Sequence, residues 1–541
     1  MRITKSGWIY IPQGRADYLA ESYQLELHGK EWRVHVSMIR KMALKHILDE
    51  LGIKITKEHS SLLRNLYKEY HDKFKSKLHQ KVGLNGKELW EHQYSTLLHS
   101  VTRKHYIAAL DQGTGKTITT ALKSEYMELY PTLIVCEASA KYSWFKSLTK
   151  EWGFKDYQFS IMYGQNKSII ALEERFVIVN YDMLYRMAEK LKKKGFKYII
   201  LDECQRVKNP KTQRYKGLRE IISYSKKKYK NQYPHLTFAS GTPMTNTAED
   251  LFLPLKLCEH PLGRVKTKFQ EMFLEQEQNA FGGHYSKKTI GSKNIDVLNK
   301  HLSNLMIRYK LEDCLDIPPK NFIFHTVDGN GDWRKVYDEA IRQACEEKQR
   351  SIKSLEANLM SANRIVSLAK VDMAVELALN ILEAGKQVVV YGSFKDSLAM
   401  VRSKIEKEGY GVSFIDGSVA NNKRGEIVEA FQTGKNQAFV GNMIAAGTSL
   451  NLQNAHNGIF LNFTFTPTDF AQAISRMYRG GQLNKVNINC ILVEGTMDEY
   501  IWNLMKNKMS TIDDIIDGKK VTITNITEQV YRIIKSNQND N

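Results

Sequence analysis

The sequence contains no CxxC pair; its six cysteines stand apart at 136, 204, 258, 314, 345 and 490. That scatter excludes a disulfide framework and a cysteine-based zinc site, and it fits a reducing compartment. No apolar run approaches the roughly 20 residues that cross a bilayer. The opening MRITKSGWIYIPQGR lacks the apolar core of a secretory signal. A soluble, intracellular chain is expected, in the cytoplasm of a bacterial or virus-infected cell or in a nucleus. Simple short-period repeats and low-complexity tracts are missing too. Acidic residues are in deficit: 59 Asp and Glu face 79 Lys and Arg, which leaves a net charge of +20. Such a surplus favours a polyanionic partner, although lysine-rich solubility charge would give the same sum. At 541 residues the chain is too long for one core, so two large domains plus an appendage are expected.

Residues 1–82 form the appendage, a small α+β accessory domain. Trp8–Ile11 and Tyr23–Leu27 alternate as strands do, and a basic helix follows from about Ser60 to Lys81. Its lysines suit a solvated face or a nucleic-acid contact. From residue 83 the pattern becomes strand then helix. Apolar runs occur at Tyr106–Leu110, Thr132–Cys136, Phe176–Asn180, Tyr198–Leu201 and Leu236–Ala239. Continuous apolar strands alternating with helices predict a parallel sheet covered on both faces. A charged helical stretch, 326–382, separates this lobe (83–325) from a second (383–517). The second lobe has strands at Val388–Tyr391, Val412–Ile415, Gln437–Val440, Gly458–Leu461 and Val486–Val493. Residues 518–541 are expected to be a tail.

Two local patterns carry chemistry. Asp111-Gln112-Gly113-Thr114-Gly115-Lys116-Thr117 follows one predicted strand and opens a helix. Glycines there let backbone N–H groups curl around phosphate, and the helix start favours an anion. Lys116 would neutralise phosphate charge and the Thr117 hydroxyl would ligate Mg2+. The strict pattern has glycine where Leu110 stands. The second pattern is Tyr198-Ile199-Ile200-Leu201-Asp202-Glu203, an apolar strand ending in two acids. Ligands of open α/β sheets bind at such strand ends. Asp202 would hold the metal and Glu203 would orient and deprotonate water.

These patterns begin an ordered series that resembles the superfamily-two helicases, and among them the Swi/Snf-type ATPases, over roughly residues 84–515. Leu89–Gln93 resembles the adenine-reading motif, and Leu133–Trp152 the first nucleic-acid motif. Asp202–Arg214 (DECQRVKNPKTQR) is close to the Swi/Snf form, with Cys204-Gln205 in place of Ala-His. Ala239–Asn246 resembles the motif that couples hydrolysis to lobe movement, and Met306–Lys320 resembles a Swi/Snf junction. Val388–Phe394, Ile415–Ser418, Ala446–Leu452 and Gln472–Gln482 continue the series, with Ser475 where the family has glycine. FGGHYSKKTIGSKN, from Phe281, is similar to the HARP-type annealing helicases and to phage proteins.

The resemblance implies two RecA-like lobes in tandem, with ATP and Mg2+ as cofactors. It places Gln93 on adenine, Gln112, Gly113, Thr114, Gly115, Lys116, Thr117 and Gln472 around nucleotide, and Thr117 and Asp202 on the metal. Glu203, Lys116, Arg476 and Arg479 are the implied catalytic groups, with Arg479 as the main arginine finger. Lys141, Trp144, Thr242, Asn246, Thr448 and Ser449 are the implied nucleic-acid contacts. The implied activity is a monomeric translocase or helicase on duplex or branched DNA, largely independent of sequence. An RNA helicase, a remodeller that does not unwind, and a scaffold with a dead ATP site are the alternatives.

Overall fold

The computed structural model describes residues 1–14, 17–82, 87–162, 174–244, 247–278, 287–346, 352–420, 423–446, 450–463, 467–503 and 505. The chain divides into two compact units, one from Met1 to Cys314 and one beginning at Leu315. No helix among the described residues is long and apolar enough to cross a membrane. The expected tail, 518–541, lies outside the described residues.

The first unit is built on a seven-stranded parallel sheet. Its order is Met306–Tyr309, His105–Leu110, His235–Ser240, Tyr198–Asp202, Thr132–Cys136, Phe176–Asn180 and Phe159–Ile161. Every residue of His105–Leu110, Thr132–Cys136 and Phe176–Asn180 is buried, as strands covered on both faces require. The expected strand at Tyr23–Leu27 is displaced: the strand is Glu26–His28. Tyr23 instead sits in a turn, buried, with its hydroxyl on the Lys300 carbonyl and the Ser303 hydroxyl.

Residues 1–82 make a four-stranded antiparallel sheet, two principal helices and a core of their own. Ile9, Ile11 and Val34 point inward, and helix Lys41–Glu50 buries Ala43, Leu44, Ile47 and Leu48 against them. The basic helix spans Lys57–Val82. This module is bound to the first lobe through buried polar groups. Arg103 donates to the Met38 carbonyl at 2.8 Å and to Asn304 Oδ1 at 2.5 Å. Asn304 donates to the Tyr23 and Met38 carbonyls, both at 3.2 Å, and Arg40 donates to the Met306 carbonyl at 2.6 Å.

The second unit carries a six-stranded parallel sheet, in the order Lys320–Val327, Val486–Val493, Asn457–Phe460, Val388–Gly392, Ala438–Asn442 and Val412–Ile415. Two expected boundaries shift. Strand Lys320–Val327 pairs along its whole length with Val486–Val493, so it belongs to the second sheet although the first lobe was expected to run to 325. Helix Val371–Glu383 was expected in the connecting stretch; it packs Val371, Ala374, Val375, Ala378 and Leu382 into the second core. Just before it, Lys370 is wholly buried and ion-paired with Asp498 at 2.5 Å, with the Leu461 carbonyl at 2.8 Å.

Candidate functional site

The site in the first unit is assembled where neighbouring strands end. Strand His105–Leu110 runs into a tight loop in which Gly113 and Gly115 have φ of +87° and +89°. Glycine reaches this region without strain. The Thr114 N–H and hydroxyl both donate to the Asp111 carbonyl, at 3.3 and 2.7 Å, so the loop closes on itself. Asp111 is anchored in turn: its N–H donates to the Tyr309 carbonyl and its carboxylate accepts the Leu311 N–H, both at 3.1 Å. Gly115 caps helix Lys116–Met127. A Cβ there would lie 2.1 Å from Gln93 Nε2, so a side chain would displace the Gln93 amide, and the backbone angle already calls for glycine.

Gln93 is buried; its Oε1 accepts the Trp90 N–H at 3.0 Å and its Nε2 donates to the Thr114 carbonyl at 3.1 Å. It was expected on the adenine base, and here its amide holds the loop. His92 shares the task, with Nε2 2.8 Å from the same carbonyl. Gln112 and Gly113 are half-buried in the loop, and Thr117 is half-buried in the first helical turn.

Lys116 Nζ is buried without a hydrogen bond and faces Glu203 Oε1 at 3.7 Å. An ammonium in that setting is costly unless an anion joins it. Glu203 follows the acidic strand end at φ +52°, a conformation that strains a side-chain-bearing residue and is often found at functional sites. Its Oε2 accepts from Gln205 Nε2 at 2.8 Å and from the Ser240 hydroxyl at 3.0 Å. Ser240 Oγ in turn accepts the Thr242 N–H at 3.1 Å. The acid is thereby joined to the turn after the neighbouring strand.

Asp202 is held from helix Ala140–Lys146 and from the residue after strand Phe176–Asn180. Trp144 Nε1 donates to its Oδ2 at 2.8 Å, and the Tyr181 hydroxyl donates to its carbonyl at 2.6 Å. Burial, then the adjacent Glu203 carboxylate, push the Asp202 carboxyl up to about 6, against the pull of Lys116 and the indole N–H. A group so placed gains by meeting a cation. Among the described residues no set of three His, Cys, Asp or Glu side chains could cage a metal alone. One carboxylate and one hydroxyl beside a phosphate loop fit Mg2+, which keeps waters and takes phosphate oxygens as ligands.

Two expected nucleic-acid contacts are corrected. Trp144 is 4% exposed and belongs to the core of the lobe. Lys141 is 6% exposed and its Nζ donates to the Met162 carbonyl at 2.7 Å. Both face inward because their short helix, Ala140–Lys146, lies flat on the sheet; Tyr142, Ser143 and Lys146 are its exposed residues. Thr242 is half-buried. Asn246, Thr448 and Ser449 lie outside the described residues, as does the FGGHY part of the Phe281 segment.

In the second unit Gln472, Arg476 and Arg479 gather at one helix end. Gln472 is on helix Pro467–Ile474, and its carbonyl accepts the Ser475 hydroxyl at 2.7 Å. Arg476 is buried, and its carbonyl accepts the Leu452 N–H at 3.0 Å. Arg479 is half-buried in the next turn. Gln482 pins that turn by donating to the Gln453 and Met477 carbonyls, at 2.9 and 3.1 Å. Residues that sequence reasoning missed are His92, Tyr181 and Ser240. Each adjoins a recognised motif, and each acts through a hydrogen bond that has no signature in the sequence.

A family model described as the SNF2-related domain matches residues 32–381, and one described as the helicase conserved C-terminal domain matches 369–481. The SWI/SNF-related matrix-associated actin-dependent regulator of chromatin subfamily A-like protein 1 homolog of Caenorhabditis elegans is 24% identical over 440 residues, covering 79% of this chain and 62% of its own length. The Xenopus tropicalis protein of that description is 26% identical, covering 79% and 45%. The DNA annealing helicase and endonuclease ZRANB3 of Homo sapiens is 23% identical, covering 77% and 39%. The chain thus spans about half the length of these relatives. The solved Sulfolobus solfataricus SWI2/SNF2 ATPase core in complex with dsDNA is 22% identical, covering 83% of this chain and 95% of that one, with a TM-score of 0.36.

Proposed function

The chain belongs to the SNF2-related family of helicase-type ATPases, and from that premise we propose that it hydrolyses ATP to drive movement along duplex or branched DNA, in replication, recombination or repair. The observation that carries the ATP half is the buried Lys116 ammonium, which faces Glu203 beneath a loop of left-handed glycines. Lys116 and the loop N–H groups would bind the β- and γ-phosphates. Thr117 and Asp202 would hold Mg2+, which when bound neutralises phosphate charge. Glu203 would orient the attacking water and take its proton, steadied by Ser240. Arg479, supported by Arg476, would reach the γ-phosphate on lobe closure, so that hydrolysis and movement are linked. Gln472 would line the nucleotide.

For the DNA half, the support is the net charge of +20 and the family itself. Phosphate-backbone binding of this kind is largely independent of sequence. We read residues 1–82 first as a cap on the first lobe, supported by the buried Arg103–Asn304 network; recognition of forks is the second role open to them.

The test is ATPase stimulation by linear duplex, forked and four-way DNA, single strands and RNA. Duplex or branched DNA should stimulate several-fold more than RNA. Equal stimulation by RNA would overturn the DNA assignment, and hydrolysis that ignores every nucleic acid would overturn the motor.

A further inference from the structure

Trp144 has no place in the chemistry above, yet it touches the carboxylate assigned to the metal. Its strand, Thr132–Cys136, lies beside Tyr198–Asp202 in the sheet. The helix that follows, Ala140–Lys146, crosses the end of that neighbour and lays the indole against Asp202. The contact is a hydrogen bond of 2.8 Å from Nε1 to Oδ2, inside the hydrophobic core. A phenyl or aliphatic side chain would fill that core as well. The N–H is the part of the residue that packing alone does not explain, and buried indole N–H groups are placed where they find an acceptor.

Building on the assignment of Asp202 to Mg2+, we infer that Trp144 is a positioning residue for the metal: its indole N–H fixes one carboxylate oxygen and so turns the other toward the cation. Partners of this kind orient metal ligands, and removing one commonly weakens metal affinity by about 10–100-fold. The same helix exposes Tyr142, Ser143 and Lys146 on its other side.

The test uses the full chain and fluorescent mant-ADP, bound with Mg2+ titrated in and, separately, in EDTA. Trp144→Phe keeps an aromatic ring, a smaller one, and removes the donor. The Mg2+ concentration that half-saturates tight nucleotide binding should rise about 10-fold or more, with affinity in EDTA unchanged. Benzothienylalanine at position 144, in which sulfur replaces the N–H in a ring of the same shape, should do the same and covers the case in which Trp144→Phe folds poorly. An unchanged Mg2+ requirement in the sulfur variant overturns the proposal. Equal loss of affinity with and without Mg2+ also overturns it, because the role would then be packing. Asp202→Asn separates the premise from the inference. It should abolish the Mg2+ dependence, and if it does not, the metal assignment fails whatever Trp144 does.

Discussion

Lys116 in the first unit and Lys370 in the second both bury their ammonium, and their surroundings differ; Lys123, wholly buried in the first unit, is closed as Lys370 is, with its ammonium on the Arg103 carbonyl at 2.9 Å. Lys370 has a carboxylate at 2.5 Å and a carbonyl at 2.8 Å. Lys116 has a carboxylate at 3.7 Å and no hydrogen bond. The first arrangement is closed, and nothing further needs to arrive. The second is open, and its electrostatic cost is met when an anion binds. The contrast extends to other polar groups. The first unit buries His105 with both ring nitrogens unpartnered and His99 and His260 with one each, and half-buried His235 also has one; in the second unit half-buried His456 has one. Of the 15 histidines in the chain, the second unit contains His325 and His456.

The largest expected effect would break the symmetry of the two lysines. Asp498→Ala strands the Lys370 charge in the core and should cost the second unit about 3–5 kcal/mol, read as an earlier denaturant midpoint for that unit. Lys116→Ala should leave both unfolding transitions nearly in place and lower kcat by about 100–1,000-fold, the usual effect of removing one preorganised charge partner. If Lys116→Ala also unfolds the first unit early, its lysine is structural and the contrast fails.

An effect smaller per residue separates the units by pH. Burial holds His235 and His260 down to about 3 and His301 down to about 4. A histidine in the unfolded chain titrates near 6.5, so on acidification the unfolded state takes up protons first. These groups contribute stability that is present above pH 6.5 and lost as pH falls toward 4. The loss is roughly 1.6 kcal/mol per histidine between pH 6.5 and 5. Hydrogen exchange at the two pH values should show the first unit loosening and the second changing little. Equal loosening would place the acid sensitivity elsewhere.

The central strands of both sheets were legible because each is a continuous apolar run, whereas Phe159–Ile161 and Met306–Tyr309 at the edges of the first sheet were not named as strands; the loop and acid pair were legible because their order is a signature. Lys320–Val327 was missed as a strand because it is an edge: several of its residues face solvent, and charge and polarity interrupt the run. Trp144 and Lys141 were placed on the wrong side of their helix. Nothing in a helix of seven residues fixes which face meets the sheet; the indole's bond to Asp202 and the ammonium's bond to Met162 do, and both partners come from other strands. Gln93 shows the same limit, since its role depends on the backbone of Thr114.

The docking of the N-terminal module has a consequence for the order of synthesis. Asn304 bonds back across 281 residues to Tyr23, and Arg40 reaches forward across 266 to Met306. Strand His105–Leu110, which leads into the phosphate loop, gains its edge neighbour only with Met306–Tyr309. A ribosome adding about 5–20 residues per second leaves the first module, complete at Val82, waiting on the order of 10–45 s for the segment that locks it down. During that interval Arg40, Arg103 and the free edge of the loop strand are exposed together. The newborn chain is thus open to chaperones, and to mispairing, until its first fifth has met residues 300–311.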